Sequence, residues 1–193
     1  MKSPQSKILT AIAAGLTLAT IASAPTFAQM KEEKPVSVGG APMYASKNIV
    51  QNAVNSKVHT TLVTAVKAAG LVDTLSGAGP FTVFAPTNEA FAKLPKGTVD
   101  NLLKPENKEM LTKVLTYHVV AGRMTAKDLM EAAKKAGGKA MIKTVEGADL
   151  TVEAKGNDLM IIDAKGDVAK VTIDNVFQSN GVIQVVDTVL LPG

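Results

Sequence analysis

The chain has no cysteine and no tryptophan, only two histidines, and aromatic residues make up just 4% of it. Each scarcity removes a class of function. Without cysteine there is no disulfide, no thiol nucleophile, no thiolate metal ligand and no residue at a lipidation position. With only His59 and His118, no His-Glu-x-x-His helix is present. So few aromatics leave no stacking platform for bases. Neither charge sign dominates: 21 Lys+Arg face 17 Asp+Glu, a formal net charge of +4, and setting aside Lys2 and Lys7 leaves 19 against 17, or +2. Nucleic-acid binders carry a far more basic face, so no nucleic-acid partner is expected. A Gly-x-Ser-x-Gly elbow and a phosphate-cradling Gly-Lys-Ser/Thr loop are also missing. Gly77-Ala78-Gly79 runs into Pro80, which breaks the loop-to-helix geometry a phosphate site needs. Asp163, Asp167 and Asp174 are spaced too irregularly for a calcium loop and read as turn residues. These absences leave no expected catalytic residue, metal site or cofactor.

What is present begins with an export signal. Lys2 and Lys7 precede an uncharged, largely apolar run from Ile8 to Ile21, and small residues follow. That run is shorter than the roughly 20 residues of a membrane span. Cleavage is expected after Ala28; a cut after Ala24 would leave Pro25 next to the scissile bond. The chain is therefore divided into a signal peptide (1–28), a flexible leader (29–46) and one domain (47–193), and is not an integral membrane protein once the signal is removed. The leader carries the charged Lys31-Glu32-Glu33-Lys34 and the breaker Gly39-Gly40-Ala41-Pro42, with Met43 and Tyr44 as the apolar residues able to pack on the domain.

Helical periodicity starts at Ser46, a plausible N-cap, with Ile49, Val50, Ala53 and Val54 on one face. A second helix starts at His59 or Thr60 and ends at Gly70; a short one covers Leu71–Leu75. Phe81–Ala85 is β-branched and aromatic between two prolines, a strand. Thr87 or Asn88 caps the next helix, Thr98 another, and Pro105 opens a third with Met110, Leu111, Val114 and Leu115 on its buried stripe. Tyr117–Val120 reads as a strand, and Thr125 with Asp128 as a capping-box-like helix start. From Lys139 the period becomes two, with turns at 146–147, 155–158 and 164–167 and a last apolar run from Val182 to Leu191. Helices first and tightly turned strands afterwards specify an α+β domain.

Three blocks in this order resemble the fasciclin domain family: Phe81-Thr-Val-Phe-Ala-Pro-Thr-Asn-Glu-Ala-Phe91 with Leu94-Pro95, then Tyr117-His118, then Asn180-Gly-Val-Ile-Gln-Val-Val-Asp-Thr-Val-Leu-Leu-Pro192. The resemblance covers roughly 47–193, and residues 38–43 are similar to the Gly-Gly-Ala-x-Met leader of single-domain secreted bacterial members. It implies a β-wedge or sandwich with a cluster of helices packed on one side, secretion, and adhesion or protein interaction at the cell surface. Gln184 stands where many members carry a second His, and Ala121 where many carry Pro. Thr188 follows Asp187, so the integrin-type Asp-Ile motif of animal members is not carried over.

The residues singled out by this resemblance are Thr82, Phe84, Pro86, Thr87, Asn88, Phe91, Tyr117, His118 and Asp187, as structural or interaction positions. For Tyr117 and His118 the favoured reading is a neutral core histidine whose backbone hydrogen bond fixes two elements together; the alternative is a ligand or partner contact. Thr87 and Asn88 read as caps, with an exposed contact as the alternative, and the phenylalanines as core. Lys134, Lys135, Lys139 and Lys143 form a basic cluster, read as a solvated face by a helix C-terminus or as a surface for acidic polysaccharide. The expected function is a non-enzymatic adhesion or interaction module of the periplasm or cell surface, its partner a cell-surface or matrix protein or polysaccharide. Two alternatives are kept: a carrier of a small apolar ligand, and a hydrolase built on His118.

Overall fold

A computed structural model describes residues 35–193. The expected signal peptide and the first part of the leader lie outside the described residues. The second part does not behave as a tether. Val36–Val38 (β1) and Ala41–Met43 (β2) pair antiparallel, and Val38 and Met43 are buried. Gly39 and Gly40, read from sequence as a breaker, both take positive φ (60° and 76°) and close a two-residue hairpin turn. The ordered domain therefore starts ahead of residue 47.

Three helices follow: Ile49–Ala53 (α1), Thr60–Ala69 (α2) and Val72–Ser76 (α3). The cap of α1 is Asn48, which forms a capping box with Gln51, and not Ser46. Gly70 ends α2 at φ 73°, as its position in the sequence suggests. Phe81–Pro86 (β3) leads into Asn88–Ala92 (α4) and Thr98–Leu102 (α5). Gly97, in the left-handed region, occupies the N-cap expected of Thr98. A 3-10 turn at Pro105–Asn107 starts Lys108–Tyr117 (α6). Met110 is 60% exposed, because it sits on the first turn at the flank of the Leu111, Val114, Leu115 stripe.

The chain then enters Val119–Ala121 (β4), Ala126–Lys135 (α7), Lys139–Lys143 (β5), Asp149–Lys155 (β6), Asp158–Ile162 (β7), Val168–Gln178 (β8) and Gly181–Val186 (β9). The strand expected over Tyr117–Val120 begins only at Val119: Tyr117 is still helical and His118 is the αR C-cap. Likewise β9 ends at Val186, short of Leu191. The seven strands form one mixed sheet in the order β4-β3-β9-β8-β7-β6-β5, and Val120 of the end strand β4 bridges to Thr144, the residue just past the other end strand β5. This is an α+β wedge that nearly closes on itself.

At its centre β3 and β9 run parallel, with Phe81 opposite Gly181 and Pro86 opposite Val186. Both of their faces are covered, which is why β9 is buried at every residue and reads as a continuous apolar run. Val83, Ala85, Ile183 and Val185 face a core filled by α1 to α6. Phe84 and Val186 face the other core, inside the wedge, with Leu129 and Ala133 of α7 and Leu150, Val152 and Ile161 of the antiparallel strands.

The parallel pair begins at a glycine that tolerates no side chain. A Cβ on Gly181 would collide with the Phe81 carbonyl. Gly181→Ala is expected to cost about 1–3 kcal/mol, the scale of overpacking. Urea unfolding checks this, and a midpoint equal to wild type would refute it.

Candidate functional site

Along β3 and α4 the singled-out side chains alternate between the two cores and the strand exit. Thr82 is fully buried; its hydroxyl donates to the Gly122 carbonyl (2.7 Å) and accepts the Met124 N–H (2.9 Å), tying β3 to the segment after β4. Phe84 is fully buried in the wedge, and Phe91 is buried on the helical side. Pro86 ends the strand, and Thr87 caps α4 by accepting the Ala90 N–H. Asn88 caps a different helix. Its Oδ1 accepts the Thr61 N–H (3.0 Å), its amide donates to the Lys57 carbonyl (3.0 Å), and α2 has no side-chain cap of its own. The strand exit thus supplies the missing cap of a helix almost thirty residues upstream.

Tyr117 and His118 leave the end of α6 in different directions and are both buried. The Tyr117 hydroxyl donates to the Asp149 carbonyl and accepts the Ala164 N–H, both at 3.0 Å, so it joins α6 to β6 and to the turn after β7. His118 Nδ1 donates to the Val114 carbonyl (2.8 Å), and Nε2 accepts the Leu190 N–H (3.0 Å), holding the segment after β9. These partners fix the tautomer: Nδ1 carries the proton and Nε2 is bare. Protonating Nε2 would set one N–H against another. Burial drives the His118 pKa down to about 4, against the weaker opposing pull of the Val114 carbonyl and the Asp163 carboxylate.

Asp163 completes this anchor. It is buried, and its oxygens accept N–H groups from Lys165, Asp167 and Leu191 at 2.8–2.9 Å. Asp187 accepts the Lys170 N–H and the Thr188 hydroxyl and faces Lys93 at 3.4 Å. Partial burial alone would raise the Asp187 pKa, but these partners outweigh it and hold the carboxyl below its ordinary range. His118 bonds backbone atoms, not a carboxylate, and the half-exposed carboxylate of the group, Asp187, is engaged by Lys93, Thr188 and the Lys170 N–H. Among the described residues no cluster of three or more His, Asp or Glu is arranged to hold a metal, and no helix is long and apolar enough to cross a membrane.

Several buried polar residues were not among the site candidates read from the sequence. Asn180 accepts the Ile49 N–H and donates to the Leu75 and Gly77 carbonyls, locking α1 and α3 to the start of β9. Asn52 bonds Gln178 and both backbone polar groups of Tyr44. Gln184, fully buried, accepts the Asn175 N–H and donates to the Met124 carbonyl. His59, 1% exposed, contacts the Ser56 hydroxyl through Nδ1 (2.9 Å). Burial lowers its pKa, with the Ala85 backbone acting in the opposite sense. No hydrogen bond of ordinary geometry engages Nε2 among the described residues.

The fasciclin domain family matches residues 57–192. The chain is 44% identical over 186 residues to Protein sll1483 of Synechocystis sp., covering 95% of this chain and 92% of that protein. It is 34% identical over 170 residues to the cell surface glycolipoprotein MPB83 of Mycobacterium bovis, covering 86% and 70%. Its fold is similar to a solved FAS1 domain pair of the insect cell adhesion molecule fasciclin I (TM-score 0.68, 20% identity), spanning 75% of this chain and 51% of that one.

The depressed His118 pKa makes stability depend on pH. A histidine at 6.5 in the unfolded chain and about 4 in the folded one contributes stability that is complete above pH 6.5 and is lost as the pH falls towards 4. The loss amounts to about 2–3 kcal/mol by pH 4.5, and His59 adds in the same direction. Urea midpoints followed from pH 7 downward should fall for the wild-type chain. In His118→Gln they should start lower and fall less. A wild-type midpoint that is flat across this range contradicts the assignment.

Proposed function

The chain belongs to the fasciclin domain family, and from that membership we propose that it is an exported, non-enzymatic adhesion or protein-interaction module of the bacterial cell envelope or extracellular matrix. One observation supports this above the others. Thr82, Tyr117 and His118, three polar side chains of the motifs, are turned inward and engaged with backbone groups of the same chain. A nucleophile or general base needs a free lone pair facing a substrate, and His118 has none. Recognition then falls to loops and helix ends on a rigid frame.

The surface offers chemistry for it. Lys96, Thr98, Asp100, Lys104 and Met110 line an open groove beside α5 and the start of α6. Lys134 and Lys135 lie in the last turn of α7, where cations are favoured, and Lys139 is ion-paired with Glu153. The partner is a cell-surface or matrix protein or polysaccharide.

Fluorescently labelled chain added to an isolated cell-envelope fraction should bind saturably and be displaced by excess unlabelled chain. A panel of ester and peptide substrates should show no turnover that depends on His118. Retention that never saturates, or turnover abolished by His118→Ala, overturns the reading.

A further inference from the structure

β5 is an end strand of the sheet, and its register with β6 says which backbone groups face outward. The Gly138 carbonyl accepts the Ala154 N–H, and the Thr144 N–H donates to the Ala148 carbonyl. The bonded pairs of this antiparallel ladder therefore fall at Gly138, Ala140, Ile142 and Thr144. The N–H and C=O groups of Lys139 and Met141 point away from β6. Farther along, β4 closes the edge, and the Val145 N–H donates to the Val119 carbonyl. But β4 stops at Ala121. Gly122 turns the chain at φ 97°, and the residues after it are bound to Thr82, Gln184 and Asn175, on the way to β9 and β8. Among the described residues, no hydrogen bond from another segment reaches the outward groups of Lys139 and Met141. The side chains alternate too. Ala140 and Ile142 pack into the wedge, whereas Lys139, Met141 (71% exposed) and Lys143 face solvent.

We propose that this edge docks an extended, acidic segment of a protein partner, which adds a strand beside β5. The inference rests on the interaction-module reading and names one contact of it. Main-chain bonds to Lys139 and Met141 hold the incoming strand, and charge selects it. Lys139 and Lys143 flank Met141 on the exposed face, and Lys134 and Lys135 end α7 just ahead of β5. Only Lys139 of these four is ion-paired among the described residues, with Glu153 at 3.6 Å, and Asp149 stands opposite Lys143 in the register. Two carboxylates against four cations leave a positive surplus, and opposite charges on neighbouring strands stabilise their pairing.

A second copy of this chain is the wrong occupant. Pairing β5 with itself sets these lysines against one another, which is how edge strands resist self-association. An acidic polysaccharide would meet the charges, but it has no amide ladder to match the two outward N–H and two outward C=O groups. A polypeptide strand meets both requirements.

The test is a titration of the 15N-labelled wild-type chain with an acetylated peptide that alternates glutamate and threonine. The same peptide N-methylated at its glutamates, and the polysaccharide alginate, are titrated separately. The unmodified peptide is expected to shift the Lys139 and Met141 amide resonances saturably and to slow their hydrogen exchange. Its affinity should fall as salt is added. The N-methylated peptide keeps the charges but loses the N–H groups that face β5, and is expected to bind about tenfold more weakly. Four outcomes would each overturn the proposal: no saturable shift at millimolar peptide, equal affinity of the N-methylated peptide, alginate slowing the same amides as strongly, or slowing that grows with protein concentration alone, which would put a second copy on the edge. Saturable retention on the cell envelope alongside any of these strikes the edge only; loss of that retention strikes the broader reading.

Discussion

The parallel pairing of β3 with β9 is the constraint on which the rest of the structure depends. It joins residues that are a hundred positions apart, Phe81 to Gly181, so a long loop must close before either strand gains its partner. No disulfide secures that closure. Polar clamps at both ends do. Asn180 and the glycine contact hold the entrance, where the Phe81 N–H meets the Asn180 carbonyl. The Thr87 N–H meets the Val186 carbonyl at the exit. Once the pair is in place, its two faces define the two cores, and every helix finds its side from the strand residue it covers.

The motif residues are reinforcements of this pair. Thr82 ties β3 outward to the chain after β4, Asn88 ties the strand exit back to α2, and Tyr117 reaches across the wedge to β6 and the turn after β7. His118 and Asp163 together seize consecutive amides, Leu190 and Leu191, so the segment beyond β9 is held although it is no longer in a strand. Each clamp places one or two polar atoms against backbone groups that would otherwise be buried without partners, which is the arrangement in which a hydrogen bond matters most.

What was legible in the sequence was local. Gly70 past the end of α2, the Thr125–Asp128 box and the strand between Pro80 and Pro86 are decided by neighbours within a few residues, and they stand where their patterns put them. What was not legible depends on partners far along the chain. Gly39-Gly40 has the same composition whether it breaks a tether or turns a hairpin; burial of Val38 and Met43 decides it. Asn88 next to Thr87 reads as an alternative cap for α4, but its real client, the start of α2, comes into reach only after folding. Asn180 and the Asn52–Gln178 pair are ordinary polar residues until tertiary contact gives them their bonds.

The two histidines share a buried setting and differ in the bonds they make. Both are buried, both line the same cavity, and in both burial lowers the pKa. His118 is satisfied at both nitrogens, so its work is complete within the chain. His59 is satisfied at one. Thr82, Tyr117, His118, Asn180 and Gln184 all bond backbone groups of the same chain, and His59 is held through the Ser56 hydroxyl. The exterior is a separate matter: cations, an exposed methionine and helix ends sit on a frame whose rigidity comes from the clamped parallel pair. Most of the side chains that clamp the frame are buried, whereas the lysines and Met110 that face solvent take no part in it.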